Sequence, residues 1–287
     1  MTDTRPESIP FRLEPRPGDV LRGDLWLPSS DTELPGAAVA VCHGFKGFKD
    51  WGFFPFASQS LAAQLKCPVV SFNFSGSGIG DDLETFSESD AFGHNTFSKE
   101  AADLNAVLDG LVSGHLGDLS FQAVDRIGVL GHSRGGVAAI LSGERPDVVA
   151  LTTWAAIASP MRYASIFDGH EEDEYVEVAN ARTGQILPLY RNVVDDLAAD
   201  PERFDLESSL NRSMVPLLVI HGTKDASVEP GDARTLAAAA PGIELAFIEG
   251  AGHTFEVGHP FAGPSPELTE ALARTTEHFA RHLAGSR

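Results

Sequence analysis

Gly131-His132-Ser133-Arg134-Gly135-Gly136 is the stretch on which the fold of this chain turns. Before it, Arg126-Ile127-Gly128-Val129-Leu130 is short and apolar enough for a buried strand. After it, Val137-Ala138-Ala139-Ile140-Leu141 opens a helix. A strand, a glycine-flanked serine and a helix make the G-x-S-x-G pattern of a nucleophile elbow, in which a sharp turn lifts the serine hydroxyl above the sheet. Gly131 and Gly135 lack the Cβ atoms that would collide as strand and helix close on that turn. Taken alone, the same six residues also describe a glycine-rich turn with an incidental serine, so the rest of the chain has to decide.

Working outward, strands and helices alternate. Ile9 to Pro15 and Asp19 to Pro28 read as an antiparallel hairpin around Pro17-Gly18. Ala37 to Cys42 is continuously apolar, as a strand covered on both faces must be. Pro68 to Phe74, Asp147 to Ala155, Pro216 to Ile220 and Ile243 to Ile248 are further strands. Phe54 to Leu65, Phe97 to Leu111, Asp232 to Ala240 and Pro266 to Leu283 are helices, and Asp81 to Asn95 is an acidic surface loop. This pattern predicts an α/β fold: a mostly parallel central sheet with an N-terminal antiparallel hairpin and helices on both faces. Ligands of such sheets sit beyond the C-terminal ends of the strands.

Bulk properties narrow the function. The 287 residues, 43% of them hydrophobic, can bury a large core, and a net charge of −20 argues against nucleic acid or an anionic membrane as partner. No run is long enough to cross a bilayer and no signal peptide is evident, so the sequence predicts a cytoplasmic protein. Cys42 and Cys67 read as buried free thiols. No cofactor is expected. Ser75 to Gly80 has glycines at dinucleotide-like spacing but opens no helix, and no His/Cys cluster has zinc-ligand spacing.

Three strand ends carry chemistry. Ser133 follows the elbow strand, Asp225 lies in His221-Gly222-Thr223-Lys224-Asp225, and His253 lies in Gly250-Ala251-Gly252-His253. A serine needs a base to take its proton, a histidine titrates near neutrality and can serve as base and then acid, and an aspartate can hold the imidazole in one tautomer. Acyl transfer also needs donors for the developing oxyanion. The backbone N–H groups of Arg134 and of Phe45, in His43-Gly44-Phe45-Lys46-Gly47, are the candidates. His43, His132 and His221 are expected to pack or brace.

With these four motifs in place, the chain resembles the α/β-hydrolase superfamily, and within it the small bacterial serine esterases of the dienelactone-hydrolase-like and cinnamoyl-esterase-like branches. Two departures stand out. Dienelactone hydrolases proper carry a cysteine where Ser133 stands, and many relatives carry Asp-x-Arg-Gly where this chain has Asn73-Phe74-Ser75-Gly76. The resemblance implies a hydrolase core over 1–158 and 213–287 with a cap over 159–212, a stretch too long for a simple connection. Met161, Tyr163, Ile166, Phe167, Tyr175, Ile186, Leu187, Leu189 and Tyr190 could line an acyl or aryl pocket or anchor the cap; Phe45, Tyr163, Phe167 and Tyr190 are taken as the substrate-binding candidates. The expected partner is a small ester, neutral and apolar or aromatic, cleaved through an acyl-enzyme on Ser133. The alternative is an aminopeptidase or amidase, in which Asp168 or the acidic run 171–174 would grip a substrate amine.

Overall fold

The computed structural model describes residues 8–28, 34–170, 172–180 and 183–285. Eight strands form one sheet: β1 (Ser8–Arg16), β2 (Asp19–Trp26), β3 (Ala37–Cys42), β4 (Val69–Asn73), β5 (Arg126–His132), β6 (Val148–Trp154), β7 (Leu217–Gly222) and β8 (Glu244–Ile248). Their spatial order is β1-β2-β4-β3-β5-β6-β7-β8. β1 and β2 are antiparallel, β2 is antiparallel to β4, and every later pairing is parallel. The predicted hairpin, its turn at Pro17-Gly18, thus becomes one edge of the predicted parallel sheet.

The period-two rule of a strand divides the core in two. Along β3, Ala38, Ala40 and Cys42 face one hydrophobic layer, and Ala37, Val39 and Val41 face the other. The first layer is closed by α3 (Phe97–Ser113), α4 (Gly135–Ser142), α6 (Leu206–Ser213) and α7 (Pro230–Ala238); the second by α1 (Phe54–Leu65) and α8 (Pro266–Leu283). Local signals set the helix starts. The Thr96 hydroxyl caps α3 by accepting the Lys99 N–H, and Ser265 caps α8 by accepting that of Leu268, with Pro266 in the first turn.

Two stretches differ from the sequence reading. The acidic loop 81–95 contains a short helix, α2 (Ser89–Gly93), because Phe92 is buried there against Phe45 and Phe86. Between β6 and β7 the expected helical insertion holds a 3-10 helix (Pro160–Phe167), an antiparallel hairpin (Tyr175–Ala179 with Ile186–Tyr190), α5 (Asn192–Ala199) and α6. Of these, α6 packs on α4 and is the crossover that returns the chain to the start of β7. The excursion before α6 therefore leaves and rejoins the body at the same edge of the sheet, the edge where the strands end.

Candidate active site

Ser133 adopts a left-handed backbone with φ of +54°, an uncommon state for a residue with a side chain. Its surroundings hold it there. The Ser133 N–H donates to the Trp154 carbonyl at 2.8 Å, tying the turn to the end of β6. A Cβ on Gly131 would lie 2.5 Å from the Gly135 carbonyl oxygen, and one on Gly135 would run into that of His43. The two glycines are required because backbone passes where a side chain would start.

Asp225 is buried in the turn after β7, and its carboxylate is nearly saturated with donors. Oδ1 accepts the N–H groups of Ser227 and Val228 at 2.8 and 3.0 Å. Oδ2 lies 2.8 Å from His253 Nδ1 and 3.3 Å from His221 Nε2. Burial alone would raise this carboxyl. The hydrogen bonds from His221, His253 and the Val228 amide outweigh it and hold Asp225 well below the ordinary carboxylate range. The oxygens facing His221 Nε2 (Asp225 Oδ2 and the Val228 carbonyl at 2.9 Å) only accept, so that nitrogen carries the hydrogen. By the same reasoning His253 Nδ1 donates to Asp225, which leaves the Nε2 lone pair of a neutral His253 available as a base. The His253 carbonyl is in turn bonded to His132 Nε2 at 3.0 Å, locking the loop after β8 against the elbow.

Ser133 and His253 line one cleft of about 930 Å³. The loop after β3 forms its other lip. It comes so close that a Cβ on Gly44 would sit 2.8 Å from that of Ser133. His43 braces this loop: Nε2 accepts the Phe74 N–H at 3.2 Å, and Nδ1 faces the Gly44 carbonyl at 2.9 Å. Among the described residues, neither the Phe45 nor the Arg134 amide donates a hydrogen bond within the chain. The Arg134 side chain is buried away from solvent. Its Nε donates to Glu100 at 2.8 Å, and its guanidinium lies over the rings of Phe97 and Tyr163 at 4.1 and 4.6 Å. The residue after Ser133 is thereby pinned to α3 and to the cleft wall.

Of the four substrate-binding candidates, Phe45 and Tyr163 line the cleft; Phe167 and Tyr190 do not. Phe167 is 3% exposed, packs into the core and carries the Arg191 guanidinium 4.8 Å over its ring. Tyr190 stacks on His94 at 3.9 Å and covers Gly93. The reason is helical pitch. With three residues per turn, the 3-10 helix Pro160–Phe167 puts Tyr163 and Ile166 on one line, facing the cleft, and turns Phe167 inward. Leu187 and Leu189 are likewise buried in the core, while Tyr175 and Ile186 are exposed. The acidic run offers nothing to the cleft: Glu172, Asp173, Glu174 and Asp168 are not among its lining residues, and Glu171 lies outside the described residues.

Two cationic residues and a histidine of the lining were not among the site candidates of the sequence reading: Lys46, Arg162 and His259. Arg162 donates to the Ser227 carbonyl at 3.2 Å, which places its charge beside the Asp225 turn. His259 accepts the Gly52 N–H at 3.0 Å and stacks on Trp51. Among the described residues, no aspartate or glutamate lines the cleft. Both cysteines are buried, and burial pushes the thiols up, that of Cys67 to about 12. Among the described residues no helix is long and apolar enough to cross a membrane.

Several solved structures share this architecture. Est1E from Butyrivibrio proteoclasticus superposes with a TM-score of 0.72 at 18% identity, covering 97% of this chain and 99% of its own. A second Est1E structure has ferulic acid bound. The esterase domain of a Rhodothermus marinus protein matches with a TM-score of 0.64 at 20% identity over 98% and 100% of the two chains. A dienelactone hydrolase from Anabaena variabilis matches with a TM-score of 0.61 at 19% identity over 97% and 99%. No curated protein sequence matches the chain. A sequence family, the alpha/beta hydrolases, matches residues 39–263, and with this sheet architecture the chain belongs to that family.

Proposed function

We propose that the chain is a serine hydrolase that cleaves carboxylic esters through an acyl-enzyme on Ser133. The observation that carries this reading is the 2.8 Å contact between Asp225 and His253 Nδ1, with His253 and the left-handed Ser133 in one cleft. Ser133 Oγ attacks the ester carbonyl as His253 Nε2 takes its proton. Asp225 stabilises the imidazolium that forms. The amides of Arg134 and Phe45 receive the oxyanion. His253 then protonates the leaving alkoxide, and a water activated by the same nitrogen releases the acid. No step calls for a cofactor. The excursion between β6 and α6 acts as the cap, with Arg162, Tyr163 and Ile166 as its contribution to the cleft wall.

The lining also bears on the aminopeptidase or amidase alternative. Among the described residues the cleft is lined by Lys46 and Arg162, the latter 3.6 Å from Asp232, and by no carboxylate, a lining poorly suited to a substrate amine and open to neutral or anionic esters. The test combines fluorophosphonate labelling with a panel of aryl, alkyl and hydroxycinnamoyl esters and their matched amides. Mass addition at Ser133 and preference for esters are the expected results. Absence of labelling, or turnover retained in Ser133→Ala, would overturn the mechanism. Faster turnover of aminoacyl amides would replace esterase with peptidase.

A further inference from the structure

At the far end of β8 from the His253 loop, Glu244 opens the strand and faces two histidines one turn apart on α8, His278 and His282. Residues four apart on a helix share a face. One ligand atom from each of the three side chains lies within 4.8 Å of the others. His278 Nδ1 is 3.9 Å from Glu244 Oε1, and the two imidazole centroids are 4.7 Å apart. Among the described residues, both ring nitrogens of His278 and Nε2 of His282 are shielded from solvent, and the Pro216 carbonyl beside the His278 ring is the one hydrogen-bond partner within their reach. Buried polar atoms are normally satisfied, and each one that is not costs stability. One imidazole cannot aim both nitrogens at a single point; with the Pro216 carbonyl beside one nitrogen of His278, the other and His282 Nε2, next to a carboxylate, mark a place built around something held between them.

We propose that Glu244, His278 and His282 bind a divalent transition-metal ion of the zinc, cobalt or nickel type. Two imidazoles and one carboxylate are a borderline donor set that suits these ions and not magnesium or calcium. Bonds of about 2.0–2.2 Å in a tetrahedron set ligand atoms roughly 3.3–3.5 Å apart, so closure asks about an ångström of movement from the side chains. Arg281 holds Glu244 Oε1 at 2.7 Å, and Oε2 is the oxygen left to ligate. The Pro216 carbonyl lies beside the His278 ring and can take the N–H of the nitrogen that does not ligate. The ion would staple α8 to the edge strand, remote from the ester chemistry.

The test uses the full-length, untagged chain stripped with EDTA and titrated by calorimetry with Zn(II) and with Co(II). One ion per chain is expected, with a rise in Tm on zinc and visible absorption of tetrahedral Co(II). His282→Ala and Glu244→Gln should each weaken binding by about 10- to 100-fold while leaving ester hydrolysis unchanged. Arg281→Ala should tighten it by releasing Glu244, a gain that a purely structural role for these side chains does not predict. His278 is left intact so that folding is not at stake. No binding, or equal affinity in wild type, His282→Ala and Glu244→Gln, would overturn the site.

Discussion

The cleft is made of two kinds of chain. Ser133, Asp225 and His253 hang from strand ends, and each is held by bonds to neighbouring elements: the Trp154 carbonyl for Ser133, the Ser227 and Val228 amides for Asp225, Asp225 itself for His253. Residues 155–205 are different. They reach the cleft through Ile157 and the short 3-10 helix, while Phe167, Leu187, Leu189, Val193 and Leu197 turn inward and fasten the excursion to the body. Strand ends place atoms for chemistry. In the proposed function the excursion, as cap, shapes access to them, while Phe167, Leu187 and Leu189 serve its attachment.

Substitutions should split along that line. Ser133→Ala should lower kcat by roughly 10⁶-fold with thermal unfolding little changed, which confines the loss to the reaction itself. Asp225→Asn should lower kcat by about 10⁴-fold, because His253 is then free to take the wrong tautomer. The same variant tests the charge. With its folded pKa depressed below an unfolded value of about 3.9, Asp225 adds stability that is complete well above pH 4 and is lost as pH falls through the folded value. Acid unfolding curves of wild type and Asp225→Asn should therefore begin to converge near pH 4 and meet only below the folded value. Phe167→Ala should cost about 3 kcal/mol in denaturant unfolding and change kcat less than about twofold at low temperature, since the ring packs in the core and not in the cleft. A loss of activity without a loss of stability there would erase the division between the two regions. Arg162→Glu should act on binding alone, raising KM about tenfold for esters that carry a carboxylate and leaving neutral esters near wild type.

The same division explains what is legible in the sequence alone. Gly131 and Gly135 were legible because only glycine tolerates backbone passing at the position of its Cβ, so the turn dictates residue type. The sheet was legible because β3 buries both faces and needs an unbroken apolar run. Asp225 and His253 were legible from their places after successive strands. Phe167 and Tyr190 were not, because an aromatic residue has the same signature whether it meets substrate or core, and α-helical spacing groups Tyr163 with Phe167 where 3-10 spacing groups it with Ile166. The hairpin Tyr175–Ala179 with Ile186–Tyr190 was hidden because its outer strand is largely exposed and lacks an apolar run. Arg162 carried no local signal: its place beside Ser227 joins segments 65 residues apart.

One feature of the connectivity reaches beyond this chain. Because α6 completes the crossover from β6 to β7, residues 155–205 start and finish at one edge of the sheet, and the strands do not register how many residues intervene. Loop closure grows only logarithmically with length, by about 0.6 kcal/mol per doubling. Length added at its exposed turns is thus cheap, and the proposed cap can vary there while the inward side chains such as Phe167 and Leu197 keep it fastened and the strand ends beneath it stay put.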